Sequence, residues 1–199
     1  MAGRFSNLTK IPTDPAAKLL AQANMKLETR LDAPASASVE DVLSELDAKG
    51  ANVDLLRLLS IALPPRERVW WACLAARDIV GAGVDNETPS LQASEAWVFR
   101  PGDETREKAI ASTEHADNDD VTVHCAMAVM YSDGTSGTGD LAQVPAPPGG
   151  SSIAAFAMNV EAIATRTDDF DAYIQELIDR AVDIGRGGNG KRKENGEIA

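Results

Sequence analysis

The side chains best suited to chemistry in this sequence are two histidines and two cysteines. Histidine is the residue type that exchanges protons most readily near neutrality, and the chain holds it at His115 and His124. His124 directly precedes Cys125, but neighbouring residues of a helix point in different directions, so the two cannot act together as base and nucleophile. Cys73 and Cys125 lie within apolar helical patterns, which favours two buried thiols over a disulfide or a redox pair. We therefore predict no catalytic residue and no enzymatic activity.

Three stretches match ligand-binding motifs only in part. Residues 185–190, GRGGNG, fit the dinucleotide pattern G-x-G-x-x-G but follow a helical pattern instead of a strand. Residues 134–140, GTSGTGD, lack the lysine and hydroxyl pair of a phosphate-binding loop. Residues 117–120, DNDD, lack the glycine and the distal glutamate of a calcium loop, and the cysteines and histidines lack the close spacing of a zinc site. The prediction is that the chain has no cofactor and no metal.

The stretch VWWACLAARD, residues 69–78, places two tryptophans side by side. A helix turns by about 100° per residue, so these two rings cannot both face one core. One interpretation is that the tryptophans are core and join two adjacent helices. The other is that one ring, with nearby arginines, forms an exposed anchor for a partner protein. The predicted partner-binding residues are Trp70, Trp71, Trp97, Arg66, Arg68 and Arg100.

Two charged residues on adjoining predicted helices, Arg77 and Glu95, predict an ion pair between those helices. With His124 they could instead line a pocket between the helical hairpins and the C-terminal helix pair. That pocket would make the chain a small-ligand-binding or enzymatic domain, which is the first alternative to protein binding. A second alternative is that the apolar faces form a structural homodimer.

Helix start and stop signals position the residues that could bind a partner. Proline at the first helical position begins a helix over residues 65–80, and Gly81 closes it. Thr88 and Pro89 give the next helix the same kind of start, and Pro101 ends it. The tryptophans therefore lie on two consecutive helices.

Similar signals predict helices along the rest of the chain. Asp14, Ser38, Asp103 and Asp120 are the predicted N-terminal caps of four of them. Apolar residues recur at helical spacing after each start, and the last helix carries Phe170 to Ile184 on one face. The further predicted helices span residues 15–31, 39–49, 52–63, 104–116, 121–131, 151–166 and 167–185.

The predicted fold class is all-α, a helical bundle of stacked antiparallel hairpins with a Gly/Pro-rich linker before a C-terminal helix pair. Five glycines and three prolines between residues 132 and 150 favour a flexible tether. The predicted divisions are an N-terminal segment with one amphipathic helix (1–35), a helical core (36–131), the linker (132–150), a helix pair packed on the core (151–185) and a disordered tail (186–199).

Charge and hydropathy restrict the class of partner. The 199 residues carry a formal net charge of −12, whereas a protein that neutralises phosphates needs a basic face. No apolar run is long enough for a signal peptide or a membrane span. We expect a cytoplasmic protein that binds another protein, with neither nucleic acid nor a membrane as its partner.

The order of several motifs resembles that of a known group of proteins. PPRERVWWACLAARD is followed by LQASEAWVFRPGDETREKA, an alanine-rich helix ending in YSDGT, a PAPP linker and a terminal helix pair. This order, over roughly residues 52–186, resembles an uncharacterised family of α-helical bacterial proteins associated with type VI secretion gene clusters. The resemblance implies an accessory protein, such as an adaptor or a chaperone that holds a secretion effector or a spike component. It implies no catalytic residues.

Overall fold

Short capping signals define the helices of this chain. The computed structural model describes residues 3–81, 83 and 86–191. Within those ranges there are helices and one isolated β-bridge but no strand, which confirms the predicted all-α fold class. A short 3₁₀ helix, Gly139–Gln143, precedes the eighth helix. The α-helices are α1 (Ala16–Gln22), α2 (Val39–Ala48), α3 (Asn52–Ala62), α4 (Pro65–Val80), α5 (Pro89–Phe99), α6 (Asp103–Glu114), α7 (Val123–Met130), α8 (Gly150–Ala164) and α9 (Phe170–Gly185).

Two predicted caps are present as hydrogen bonds. The Ser38 hydroxyl accepts from the backbone N–H of Asp41 at the start of α2, over 3.1 Å. The Thr88 hydroxyl accepts from the N–H of Leu91 at the start of α5, over 3.2 Å. Each bond satisfies one of the N–H groups that the first turn of a helix leaves without a partner. Gly81 follows α4 with a φ of +88°, a conformation that favours glycine.

Several predicted boundaries are wrong. Asp14 does not cap α1, which begins at Ala16 with Pro15 in the cap position and no side-chain cap. The last helix begins at Phe170 and not at residue 167. α1 ends at Gln22 instead of near residue 31, because Asn24 takes a left-handed conformation and turns the chain. Asp103 is the first residue of α6 and does not cap it, so its charge acts on the helix dipole instead. Asp120 accepts from the N–H of Thr122 over 2.9 Å, and this turn delays the start of α7.

The contacts divide the chain into two units, Met1–Pro64 with Asp169–Ala199 and Pro65–Asp168. Unit 1 holds α1, α2, α3 and α9, and unit 2 holds α4 to α8. This division differs from the predicted one. The predicted core, residues 36–131, is split at Pro64, and the predicted C-terminal pair is split between α8 in unit 2 and α9 in unit 1.

Unit 1 is held together around α3, which packs on α1, α2 and α9. Arg4 ties the N-terminal segment to two of these helices. Its guanidinium donates to Asp47 on α2 over 2.7 Å, and on α9 to Gln175 over 2.8 Å and to Asp179 over 2.7 Å. Because its carboxylate partners come from distant parts of the sequence, Arg4 closes a part of the fold that no local pattern predicts.

Unit 2 packs α8 against α4 and α7, and packs α5 against α4, α6 and α7. Fully buried residues of α4 and α8, including Trp71 and Met158, fill its core. Cys73 and Cys125 are both buried and form no disulfide with each other, which confirms the prediction of two buried thiols. Their small side chains allow α4 and α7 to approach closely.

The segment predicted to be a flexible linker makes regular hydrogen bonds within unit 2. The N–H of Ser136 donates to the carbonyl of Val144 over 2.8 Å, and the N–H of Ala146 donates to that of Gly134 over 2.9 Å. Arg106, which is buried, donates to the Thr135 hydroxyl over 2.9 Å. These bonds give the Gly- and Pro-rich sequence a defined path. The predicted tail lies outside the described residues from position 192 onward.

Candidate protein-binding surface

α4 and α5 form an antiparallel hairpin whose two ends use arginine differently. At one end, Nε and Nη2 of Arg77 donate to the two carboxylate oxygens of Glu95 over 2.8 and 2.6 Å. Nη2 also donates to Glu87 over 2.7 Å. The hydrogen bond with Glu95 is the main reason that the pKa of Arg77 is raised above its ordinary value. The ion pair predicted between the two helices is confirmed.

The predicted meeting of Arg77, Glu95 and His124 does not form. In the part of the chain that the structure describes, the His124 side chain makes no hydrogen bond to either of the other two. Beneath the ion pair lies Cys73, whose thiol pKa is raised, first by burial and then by its contact with Cys125. Arg77 and Glu95 therefore satisfy each other as an internal clamp.

The two adjacent tryptophans of α4 take opposite environments. Trp71 is fully buried, whereas Trp70 lies half-buried at the edge of the helix. The Trp70 ring meets the Phe99 ring at the end of α5, with 5.8 Å between their centroids and an angle of 60° between their planes. This edge-to-face arrangement is the one that aromatic pairs prefer. Because Trp71 faces the core, Trp70 needs a different partner, and that partner is Phe99.

Three of the predicted partner-binding residues do not belong to an open surface. Trp71 has no exposed area and Trp97 is 7% exposed, so placing them at a surface is wrong; both are parts of the apolar core. Arg68 is half-buried as a residue, but its guanidinium is enclosed, and this burial lowers its pKa to about 10. The other three, Trp70, Arg66 and Arg100, are half-buried or exposed.

Arg66 is exposed but oriented. Its Nε donates to the carbonyl of Val98 over 2.7 Å. Val98 lies in the last turn of α5, where carbonyls have no partner within the helix, so Arg66 caps that helix end. Among residues 3–81, 83 and 86–191, the amino groups Nη1 and Nη2 of Arg66 have no hydrogen-bond partner. The guanidinium is therefore fixed at one side and open at the other.

Phe99 is the residue that sequence reasoning missed. It is 70% exposed, the largest exposed fraction among the large apolar side chains described. The signal was present, since Phe99 ends α5 and is followed by Arg100 and Pro101. A helix that stops at this point has no next turn to cover the ring. An aromatic residue directly before a helix stop is a better indication of exposure than a tryptophan in mid-helix.

Arg66, Trp70, Phe99 and Arg100 are hereafter called the Trp70 surface. It combines an aromatic pair, in which Phe99 is exposed and Trp70 is half-buried, with two exposed arginines on a chain whose net charge is −12. Aromatic and arginine side chains are the types most enriched at the centre of protein interfaces. The arrangement can offer apolar contact and donors for a carboxylate at one place.

Among the cavities of the described residues, two lie in unit 1. The first, of about 490 Å³, is an apolar groove between α1 and residues 25–31. The second, of about 310 Å³, is lined by residues near the starts of α3 and α9, with Asp54 and Phe170 among them. Neither includes a residue of the predicted pocket. Across the described ranges, no cluster of three potential metal ligands occurs and no helix has the length and apolar character to span a membrane.

The sequence was compared with families, curated proteins and solved structures. No curated protein and no solved structure matches the chain. A family model matches residues 42–185, which include all of unit 2, with all four residues of the Trp70 surface, and the part of unit 1 that holds α3, α9 and most of α2. The chain therefore belongs to DUF6931, a family of unknown function.

Proposed function

We propose that this chain is a non-enzymatic protein-binding module and that the Trp70 surface is its binding site. The observation that carries the proposal is Phe99, an aromatic side chain left 70% exposed and held against Trp70 beside an arginine with open donors. Scattered single apolar residues are common at protein surfaces. An aromatic pair joined to an oriented arginine is a composite feature, and it matches the anchors of protein interfaces.

The rigidity of the hairpin supports this function. Phe99 and Trp70 stand on two helices that the Arg77 clamp holds at one end and the Arg66 cap at the other. A surface that is already ordered loses little conformational entropy when a partner binds. The side chains of the Trp70 surface are therefore presented in a geometry that is set before binding.

The setting of this activity is part of the proposal. The order of motifs that resembles proteins of type VI secretion clusters supports a bacterial adaptor or chaperone in the cytoplasm, with an effector or a spike component as its partner. The absence of catalytic groups from the Trp70 surface fits a role in holding a protein. A captured partner encoded beside this chain in such a cluster would support the setting, and a partner unrelated to secretion would contradict it.

Affinity capture followed by binding with purified components tests the proposal. The intact protein is used to capture partners from its native cells, and each captured protein is purified and titrated by calorimetry. The test variant is Trp70→Ser with Phe99→Ser. The matched control is Phe170→Ser, which removes a 48% exposed phenylalanine from unit 1. We expect the double variant to lose binding and the control to keep it; equal binding by all forms would overturn the proposal.

A second candidate function is self-association through α8. Ile153 and Val160 on this helix are 47% and 42% exposed, and their spacing of seven residues places them on one face. An apolar stripe on a helix favours pairing with a second helix. Light scattering of the intact protein and of an Ile153→Ser, Val160→Ser variant tests this. A dimer mass that the variant halves would support self-association, and a monomer mass for both would reject it.

A further inference from the structure

We infer that the partner of the Trp70 surface is a protein segment in which an aspartate or glutamate side chain lies close to a large apolar side chain. The carboxylate binds Arg66, and the apolar group packs on the Trp70 and Phe99 rings. This inference rests on the proposed function and specifies the chemistry of its partner.

The orientation of Arg66 supports a carboxylate as its ligand. A guanidinium has five N–H donors in one plane, and the bond from Nε to the Val98 carbonyl uses one of them. The remaining four, on Nη1 and Nη2, have no acceptor among the described residues. A carboxylate offers two oxygens with the spacing that these donors fit. Arg77 on the same helix also binds a carboxylate through two bonds, there from its Nε and Nη2.

The charges near the Trp70 surface limit how much negative charge its partner can carry. Within the described residues, neither Arg66 nor Arg100 forms an ion pair. Glu67 follows Arg66 in sequence. Glu104 is held by Lys108 over 2.8 Å, and its pKa is lowered first by that hydrogen bond and then by the charges of Lys108 and Arg100. The chain as a whole has a net charge of −12 and repels a polyanion at long range. The surface therefore suits a segment with one or two carboxylates and excludes a nucleic acid.

The open shape of the surface supports an acidic side chain over a chain terminus as the source of the carboxylate. Phe99 is 70% exposed, so the aromatic pair forms a platform and not a closed cleft that would enclose the last residue of a chain. Arg66 and Trp70 are four residues apart on α4, which places their Cβ atoms about 6 Å from each other. In a partner, that distance corresponds to one helical turn or to two residues of an extended strand.

A display library of random 12-residue peptides, selected on the intact full-length protein, tests the inference without knowledge of the natural partner. We expect the enriched peptides to carry aspartate or glutamate two to four positions from a leucine, phenylalanine or tryptophan. The best peptide is then synthesised with its acidic residue and with the matching amide. The Glu→Gln or Asp→Asn peptide should bind about tenfold more weakly, as expected for loss of a charge-assisted hydrogen bond.

A thermodynamic cycle assigns that loss to Arg66. Against an Arg66→Gln protein, whose folding is checked by circular dichroism, the acidic peptide and its amide counterpart should bind equally. If Arg66→Gln lowers stability because the α5 cap is lost, Arg66→Lys supplies the second variant, since it keeps a cation but not the planar donors. An unchanged tenfold difference against the glutamine variant would overturn the assignment to Arg66.

The remaining outcomes separate this inference from the proposed function. Peptides that require Phe99 but contain no acidic residue would overturn the inference and leave the proposed function standing. Peptides that bind the intact protein and Phe99→Ser equally would count against both. Peptides that lose binding when their C-terminus is amidated would replace the acidic side chain with a terminal carboxylate and overturn the inference as stated.

Discussion

Arg66 and Arg77 lie eleven residues apart on α4, about three helical turns, and so project from nearly the same face of that helix. Arg77 donates three hydrogen bonds to the carboxylates of Glu87 and Glu95. Arg66 donates one, to a backbone carbonyl of α5. The two arginines differ in their acceptors. Arg77 meets carboxylates from α5 and from the loop before it, whereas Arg66 meets a backbone carbonyl of α5. The same residue type on the same face is thus an internal clamp at one end and an open group at the other.

Trp70 and Trp71 repeat this contrast one residue apart. Trp71 enters the core of unit 2, and Trp70 leans on Phe99 at the surface. The turn of about 100° between consecutive residues is enough to separate the two environments. The comparison teaches that residue type identifies candidates for binding, while the identity of the neighbouring side chain decides which of them remain free to bind.

The largest expected effect comes from the two tryptophans. Trp71→Ala should lower the free energy of unfolding by about 3–5 kcal/mol, because it leaves a cavity in a closely packed core. Trp70→Ala should lower it by less, about 1–2 kcal/mol, since that ring is only partly buried. Urea titrations followed by circular dichroism measure both. Equal losses for the two variants would break the distinction between an inner and an outer tryptophan.

The two arginines should differ by a smaller amount. Arg77→Ala removes three hydrogen bonds to charged groups and leaves two largely buried carboxylates close together, so we expect a loss of about 2–3 kcal/mol. Arg66→Ala removes one bond to a helix end and should lower stability by about 1 kcal/mol. The same urea titrations decide the matter. An Arg77→Ala protein as stable as the intact chain would mean that the clamp contributes nothing.

Cys73 is buried and interacts electrostatically with both residues of the clamp, and its thiol gives a measurement that does not depend on unfolding curves. Burial raises the pKa of Cys73, so at pH 8 the folded protein should hold this group as the unreactive thiol. Reaction with a disulfide reagent should be at least about tenfold slower than in denaturant. The raised pKa also means that stability falls as the pH rises above about 8.5, where the unfolded thiol ionises first. Rapid reaction of the native protein would contradict the closed state of this end.

Local signals predicted more of the fold than of the site. Caps at Ser38 and Thr88 and the proline at Pro65 act within a few residues, so the boundaries of α2, α4 and α5 could be predicted from sequence. The division into two units could not, because it depends on contacts between distant segments such as that of Arg4 with Asp179. Among the site residues, the pairing of Arg77 with Glu95 followed from position on adjoining helices.

The exposure expected for Trp71 and Trp97 was wrong because burial could not be known from the sequence. Helical periodicity shows that Trp70 and Trp71 diverge, but it does not show which of them faces the core. That choice depends on where α5, α7 and α8 pack on α4. Phe99 was missed for the related reason that its exposure follows from the end of a helix. Both errors concern neighbours in space, which a single sequence does not list.

Phe99→Ser should give the smallest change in stability. This variant tests whether Phe99, near Arg66, is free of any structural role. Because the ring is 70% exposed, its loss should change the free energy of unfolding by no more than about 0.5 kcal/mol. The same change removes the edge-to-face contact with Trp70, so the tryptophan emission should move to longer wavelength as that ring becomes more hydrated. Phe170→Ser, the matched exposed phenylalanine of unit 1, should leave the emission unchanged. A large loss of stability in Phe99→Ser would mean that this ring supports the fold. The Trp70 surface would then be structural, as the Arg77 clamp is, and its exposure would no longer indicate binding.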